Sequence, residues 1–453
     1  MRDYRTVTIF SRVLESAFIP AYYGLRRRKY ATYRGFLEKS QWWTSEQTRQ
    51  FQWQALQRLL EHTFRTVPYY RRKYAAAGID HRDIRTFTDF AKLPPLSRAE
   101  VNSHRDELCS EITTSKLIHH ATGGSSGVPT RFVITVDSYD WRCAASDRAY
   151  SWSGHRLGQR TLYLWGAPLG NISRLKSTKV AAHRMLRREL FVPTFIQTPE
   201  LWHQTLKRAL QFRPRFIVGY VSSIEQFASF LISEKLTLQG IHAVISAAEP
   251  VHEKTRQLVM QAFGAPLYNA YGSREFMSIA AECDQHRGLH INAENILVET
   301  ELARSEGPSE LLVTDLHNFG MPFIRYRIGD VGAIDDSMCS CGRGLPLIRS
   351  VEGRVLEVLR TPSGRIVPGE FFPHLFKDFR EIREFQVQQT SLDEITVYVV
   401  LNGQILDSSQ KLIQQEIARV FGTEVRVAVT PVAAIPQLPS GKRRVTVGLG
   451  LSR

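Results

Sequence analysis

One glycine- and hydroxyl-rich decapeptide, ATGGSSGVPT at residues 121–130, restricts this chain more than any other stretch. Gly123, Gly124 and Gly127 enclose Ser125 and Ser126, between apolar Leu117 and Ile118 and a strand-like run at 131–136. Glycines let backbone N–H groups turn inward, and Thr122, Ser125, Ser126 and Thr130 add hydroxyl donors, which suits a loop that wraps polyphosphate. Residues 123–127 also satisfy G-x-S-x-G, but a nucleophile elbow needs a strand running in and a helix running out. Val128 and Pro129 lead instead into a β-branched run, so the spacing predicts a strand–loop–strand hairpin. A Walker A loop needs a lysine after its last glycine, and Val128 stands there.

With 453 residues, 43% of them hydrophobic and 23% charged, the chain has room for two or three globular domains and a large core. No run of 18 apolar residues occurs, the length a membrane span needs. Residues 1–20 carry Arg2, Asp3, Arg5 and Arg12 without an apolar core, so a cytoplasmic protein is expected. The formal charge is +15, with clusters at Arg26, Arg27, Arg28 and Lys29 and across residues 174–188. Such patches attract nucleic acid, anionic lipid or phosphorylated ligands, although solvated helix faces account for them equally well. No nucleic-acid signature accompanies them, so nucleic acid is not an expected partner. The cysteines are Cys109, Cys143, Cys283, Cys339 and Cys341, an odd number that argues against a disulfide framework. Cys339 and Cys341 are too close for an easy bridge and suit a metal site better.

Residues 1–40 read as a basic helical lead-in. Residues 47–74 follow as an amphipathic helix broken at Val67 and Pro68, and Ser97 with Glu100 forms a capping box. Beyond the loop, a helix at 137–152 precedes strands at 161–165, 216–219 and 243–246, the last two followed by helices at 223–232 and 253–263. This alternation predicts parallel sheet in an α/β architecture, with residues 310–315 and 330–334 in a second sheet. The tail, with strands at 384–387, 394–401 and 425–430 and a helix at 408–421, reads as a small α+β domain. The domain division is placed at 1–352 and 353–453.

Three further segments carry residues that nucleotide chemistry uses. Asn269, Ala270, Tyr271, Gly272, Ser273, Arg274 and Glu275 are expected to follow a short strand and open a helix, offering an aromatic for a base and a carboxylate for Mg²⁺. Residues 325–330 end in Asp330 beside Gly329, placed to accept from ribose hydroxyls. Ser440, Gly441 and Lys442 form a turn presenting a lysine. In this order the motifs resemble the adenylate-forming (acyl-CoA synthetase-like) superfamily, and within it the phenylacetate–CoA ligase branch with the CapK-type proteins of polysaccharide clusters. The resemblance spans residues 45–445 and includes Ser246, Ala247, Ala248, Glu249 and Pro250 as an adenine-side segment, and Gly353 with Arg354 at a hinge.

The resemblance implies a large multi-sheet α/β adenylation domain with a small mobile α+β domain. It implies that residues 122–130 hold the ATP phosphates, Glu275 helps hold Mg²⁺, Tyr271 packs on adenine, Asp330 binds the ribose and Arg354 contacts it. Lys442 would meet the carboxylate and α-phosphate, where a fixed cation offsets charge developing in the transition state. The chain departs from the pattern at Thr130, where a lysine is usual in or after the loop, and at Leu356, where the hinge usually has an acid. Cys283, His290, Cys339 and Cys341 would complete a closed tetrahedral zinc site, with His290 rather than His286 as the imidazole. The implied reaction is ATP-dependent activation of a carboxylic acid followed by transfer to coenzyme A. An amine or hydroxyl acceptor, a glycan among them, is the alternative. A non-catalytic basic scaffold at an anionic membrane and a hydrolase using Ser125 are readings of other classes. The basic segment 174–188 is expected to receive a phosphorylated acceptor.

Overall fold

Apolar β-branched runs buried on both faces form the centre of the molecule, whose computed structural model describes residues 9–112, 115–122, 130–166, 174–195, 197–301, 309–335, 337–352, 359–367, 369, 371–376, 379, 381–435 and 445–449. After a hairpin of β1 (Leu117–Ala121) and β2 (Arg131–Thr135), four strands run parallel with helices between them: β3 (Thr161–Trp165), β4 (Glu189–Pro193), β5 (Phe216–Tyr220) and β6 (Ala243–Ala247). All five residues of β5 are buried, as expected of parallel strands covered on both faces.

Next, β7 (Leu267–Ser273) pairs parallel with β6 on one edge and antiparallel with β8 (Met277–Glu282) on the other. It therefore joins the parallel half to an antiparallel half made of β8, β9 (Leu289–Ile291), β10 (Ile296–Thr300), β11 (Ser309–Asp315), β12 (Tyr326–Asp335) and β13 (Leu347–Glu352). The result is one eleven-stranded sheet in the order β10-β11-β12-β13-β9-β8-β7-β6-β5-β3-β4. The strands expected in a second sheet thus continue the first through β7, while the β1–β2 hairpin stands as a separate sheet of the large domain.

The lead-in is helical at Ile9–Val13, Leu14–Phe18, Ile19–Leu25 and Tyr30–Ser40. The next helix, Ser45–Thr66, starts at a capping box of Thr44 and Gln47, and Pro68 opens a new helix at Pro68–Ala76. The small domain carries β14 (Leu359–Arg360), β15 (Ile366–Val367), β16 (Ile382–Ser391), β17 (Glu394–Leu401), β18 (Arg426–Pro431) and β19 (Thr446–Val447) around the helix Asp407–Phe421. Its core is Val387, Ile395, Val397, Val399, Ile413, Ile417 and Phe421, shared with Phe195 and Tyr220 of the large domain. The Phe195 and Phe371 rings lie 5.8 Å apart, edge to face. The small domain is docked at the carboxyl ends of the parallel strands, the side on which open α/β sheets bind ligands.

Candidate active site

The glycine-rich stretch joins two antiparallel strands in register, Ala121 opposite Arg131. The Thr122 N–H donates to the Thr130 carbonyl at 2.8 Å, and the Thr130 N–H donates to Thr122 Oγ1 at 2.9 Å. A strand follows the loop, so the elbow geometry is absent and the expected hairpin is present. Gly123, Gly124, Ser125, Ser126 and Gly127 themselves lie outside the described residues. At the base of the loop, burial and the nearby charges of Arg142 and Arg274 hold the His120 pKa down at about 4. The base of the loop therefore presents a neutral imidazole and the exposed guanidinium of Arg274, while the Arg142 charge is held by Asp315.

The Tyr271 segment is placed differently from expectation. Asn269, Ala270, Tyr271, Gly272 and Ser273 belong to β7, and residues 274–276 turn directly into β8 with Ser273 opposite Met277. The helix expected there is absent because Met277, Ile279 and Ala281 continue in strand pairing. Gly272 is required: a Cβ there would lie 2.0 Å from the Met277 carbonyl oxygen. The Ser273 Oγ accepts from the Phe276 N–H at 3.3 Å and closes the turn.

The sheet curls until β7 and β12, with three strands between them in its order, touch. The Tyr271 hydroxyl donates to Asp330 Oδ2 at 2.8 Å. Gly329, just before Asp330, has φ +84°, a left-handed conformation that glycine adopts freely. Glu275 is buried, and its Oε1 accepts from Arg98 at 3.1 Å and from the Tyr326 hydroxyl at 3.3 Å. Burial opposes the Arg98 charge, but Tyr326 and Glu275 hold its pKa above the ordinary arginine value. Arg142 donates to the Glu275 carbonyl and pairs with the buried Asp315 at 2.5 Å.

The adenine-side segment follows β6. Ala248 has φ +68°. Glu249 accepts from the Ser222 N–H at 2.6 Å and the Ser222 hydroxyl at 2.9 Å, capping the helix Val221–Ser233, and burial raises its pKa. Asn269 stands opposite Ser246 in register, and its N–H donates to Glu282 at 2.8 Å. Lys442 and Arg354, like Leu356, fall outside the described residues. Sequence reasoning missed Arg98: it follows the helix cap Ser97 but lies far from Glu275 in the chain, so no local pattern ties the two together.

The basic segment forms the helix Arg174–Arg187. Its charge is partly compensated from outside the segment. Arg187 bridges Asp147 at 3.1 Å and Glu189 at 2.8 Å, and Arg184 lies over the Phe191 ring at 3.6 Å. Arg187 is a structural ion-pair partner rather than one of a row of free cations.

The metal-type cluster is assembled across β8, β9 and the loop before β13. Donor atoms of Cys283, His290, Cys339 and Cys341 all lie within 4.8 Å of one another. Cys283 and Cys339 sulfurs are 3.8 Å apart and Cys341 Sγ is 3.3 Å from His290 Nε2. A tetrahedron of zinc–sulfur bonds has edges of about 3.8 Å. His290 Nδ1 faces the Leu345 carbonyl at 3.4 Å, which directs Nε2 toward the sulfurs. His286 instead turns its Nδ1 to Glu282 at 3.1 Å. Burial and the Arg343 charge lower the His290 pKa to about 4, which keeps the imidazole neutral as a ligand must be.

Residues 359–448 match the CapK C-terminal domain family. The chain is 25% identical to a phenylacetate-coenzyme A ligase of Thermus thermophilus, covering 89% of this chain and 97% of that one. It is 23% identical to protein CapK of Staphylococcus aureus, covering 80% and 81%. Among solved structures, 2-hydroxyisobutyryl-CoA ligase with 2-HIB-AMP and CoA superposes with a TM-score of 0.59 at 20% identity, over 89% of this chain and 90% of that one. The chain is an enzyme of the adenylate-forming class, the AMP-forming ligases. Within that class the chain is similar to phenylacetate–CoA ligases and to CapK.

Proposed function

We propose that this enzyme activates a carboxylic acid with ATP and transfers the acyl group to coenzyme A. The observation that carries the reading is the Tyr271–Asp330 hydrogen bond, which brings two nucleotide-type motifs together from strands far apart in the sheet. In the first half-reaction a carboxylate oxygen attacks the α-phosphorus. The bond to the oxygen bridging the β-phosphate breaks, and pyrophosphate leaves. In the second, the thiol sulfur loses its proton and attacks the acyl carbon, and AMP leaves with the bonding electron pair.

In this reading residues 122–130 wrap the phosphates, the Tyr271 ring packs on adenine, and Asp330 accepts from the ribose hydroxyls. Lys442 meets the charge that grows at the α-phosphate, and Arg354 contacts the nucleotide at the hinge. Glu275 supplies hard oxygen suited to Mg²⁺, shared with the guanidinium of Arg98. Bound Mg²⁺ would neutralise phosphate charge. The three thiols and one imidazole suit a structural Zn²⁺ with no open position.

Pyrophosphate exchange into ATP, screened over a panel of carboxylic acids without acceptor, tests the first half-reaction. Acid-dependent exchange is expected, and thioester formation should follow when coenzyme A is added. Absence of exchange with every acid, in protein that binds ATP, would remove the reading. A second acceptor class, an amine or hydroxyl, is what the resemblance to CapK-type proteins of polysaccharide clusters implies. Exchange without thioester formation would select it.

A further inference from the structure

The N-terminal helices leave an apolar face uncovered. Across Ile9–Val13, Leu14–Phe18 and Ile19–Leu25, the side turned to the body carries Ser11, Leu14, Glu15 and Ile19. The opposite side carries Val13, Phe18, Tyr22 and Leu25, with Ile9 at its start. Leu25 is 88% exposed, Ile9 81% and Val13 55%. These positions keep one line because the middle turn is a π-helix, in which the Ile19 N–H donates to the Leu14 carbonyl. That i→i+5 turn takes about one residue more than an α turn, so Phe18 falls roughly beneath Val13 instead of rotating away.

The exposed charge at the edge and end of this face is basic: Arg12, Arg26 and Arg27 are exposed there, and Arg26 stacks on Tyr22 at 4.7 Å, while Lys29 just beyond pairs with Asp137 at 3.1 Å. Glu15 is the single acid of the three helices, and it is turned inward to Arg34 at 2.9 Å. Beside the helices lies a cavity of about 540 Å³ lined in part by Ile19, Tyr30, Arg34 and Arg156. Arg188, at the end of the helix Arg174–Arg187, covers Phe10 at 5.0 Å. The nearby Met185 is 78% exposed.

From this pattern we infer that the helical run Ile9–Leu25, with the basic turn at 26–29, docks the enzyme on an anionic membrane surface. An uncovered apolar face marks an interaction site. An in-plane helix with large aliphatic and aromatic side chains on one side and arginines at the margin matches the acyl–headgroup boundary of a bilayer. A protein partner would need an acidic apolar groove. The chain's +15 charge favours the extended negative surface of a lipid leaflet over a local one. The inference is independent of which acid or acceptor the enzyme uses.

Cosedimentation of the full-length protein with phosphatidylcholine vesicles, with and without phosphatidylserine, tests it. Wild type is expected to bind the phosphatidylserine vesicles at least tenfold more tightly than phosphatidylcholine alone, and less as salt is raised. The exposed-site variant Val13→Glu/Phe18→Glu, and separately Arg26→Glu/Arg27→Glu, should lose that binding by tenfold or more. Both should retain wild-type melting temperature and pyrophosphate exchange. Wild type remaining in the supernatant with both vesicles would overturn the proposal, as would equal binding by the variants. A dimer in light scattering that Val13→Glu/Phe18→Glu abolishes, with no lipid binding, would reassign the face to self-association.

Discussion

The buried carboxylate of Glu275 and the half-buried guanidinium of Arg98 form an ion pair at 3.1 Å, although they lie 177 positions apart in the chain. Arg98 stands at the start of the short helix Arg98–Ser103, so the position of that helix decides the charge presented by the proposed Mg²⁺ ligand. Removing Arg98 leaves the buried carboxylate without this charge partner, with the Tyr326 hydroxyl still donating to it, which costs about 3 kcal/mol. Arg98→Leu is therefore expected to destabilise the protein by that order in denaturant titration. The double variant Arg98→Leu/Glu275→Gln should recover more than half of the loss. Additive effects would show that the pair is not coupled.

The cap of the same helix carries a pH dependence. Burial works to raise the Glu100 pKa, but hydrogen bonds from Lys73 at 2.6 Å, Ser97 and Tyr69 outweigh it and hold the pKa at about 2. An unfolded glutamate titrates near ~4.3. A depressed carboxyl contributes stability that is complete above the unfolded value and is lost as pH falls from there toward 2. Glu100→Gln should cost about 1 kcal/mol at neutral pH and flatten the stability profile between about pH 5 and 2. An unchanged acid limb in the variant's melting curves would contradict this.

At the nucleotide face, Tyr271→Phe removes the donor to Asp330 but keeps the ring. Loss of one such hydrogen bond is worth about 1 kcal/mol, so KM for ATP should rise about fivefold with kcat for pyrophosphate exchange nearly unchanged. Asp330→Ala should raise it further. Equal kinetics for Tyr271→Phe and wild type would separate the hydroxyl from nucleotide binding.

Lys442→Ala is expected to slow adenylation by ~10²-fold or more, the scale of one preorganised charge partner at a reacting centre. Transfer from supplied acyl-adenylate should persist. Single-turnover measurements of each half-reaction decide it, and equal loss in both would end the two-step assignment of the lysine.

Metal analysis should find about one zinc per chain, absent from Cys339→Ser and Cys341→Ser. Because a closed thiolate site contributes folding energy, these variants should lose roughly 3 kcal/mol or more of stability. Carefully prepared wild type without zinc would dismiss the site as four reduced side chains.

The elements most legible in the chain were those with a strong local code. The hairpin followed from β-branched runs on both sides of the glycines, and the helix Glu253–Phe263 and strand β3 fall where periodicity put them. Strands β4, β8 and β9 were not read: Leu190, Phe191 and Val192 make a short apolar run directly after a basic helix, and Leu289–Ile291 has only three residues. The segment around Tyr271 is expected to follow a short strand and open a helix, whereas pairing with β8 makes it strand. Tyr271, Glu275 and Asp330 were recognisable as motifs. Their partners Arg98, Tyr326 and Arg142 were not recognisable as such, since ion pairs formed by folding leave no spacing in the sequence. The same holds for Arg187, whose acids Asp147 and Glu189 lie outside the basic run.

Phe195 packs so closely on the end of β3 that a Cβ on Gly166 would lie 2.1 Å from its ring, while the neighbouring Phe371 belongs to the small domain. Drift in sequence at these three positions is therefore coupled. A lineage that gives Gly166 a side chain must shrink or turn the ring at 195, and the small domain then loses its aromatic seat. Compensation would come at Phe371. Descendants of such an ancestor are expected to vary at the three sites together or not at all, so that the surface on which the domain rests evolves as one unit.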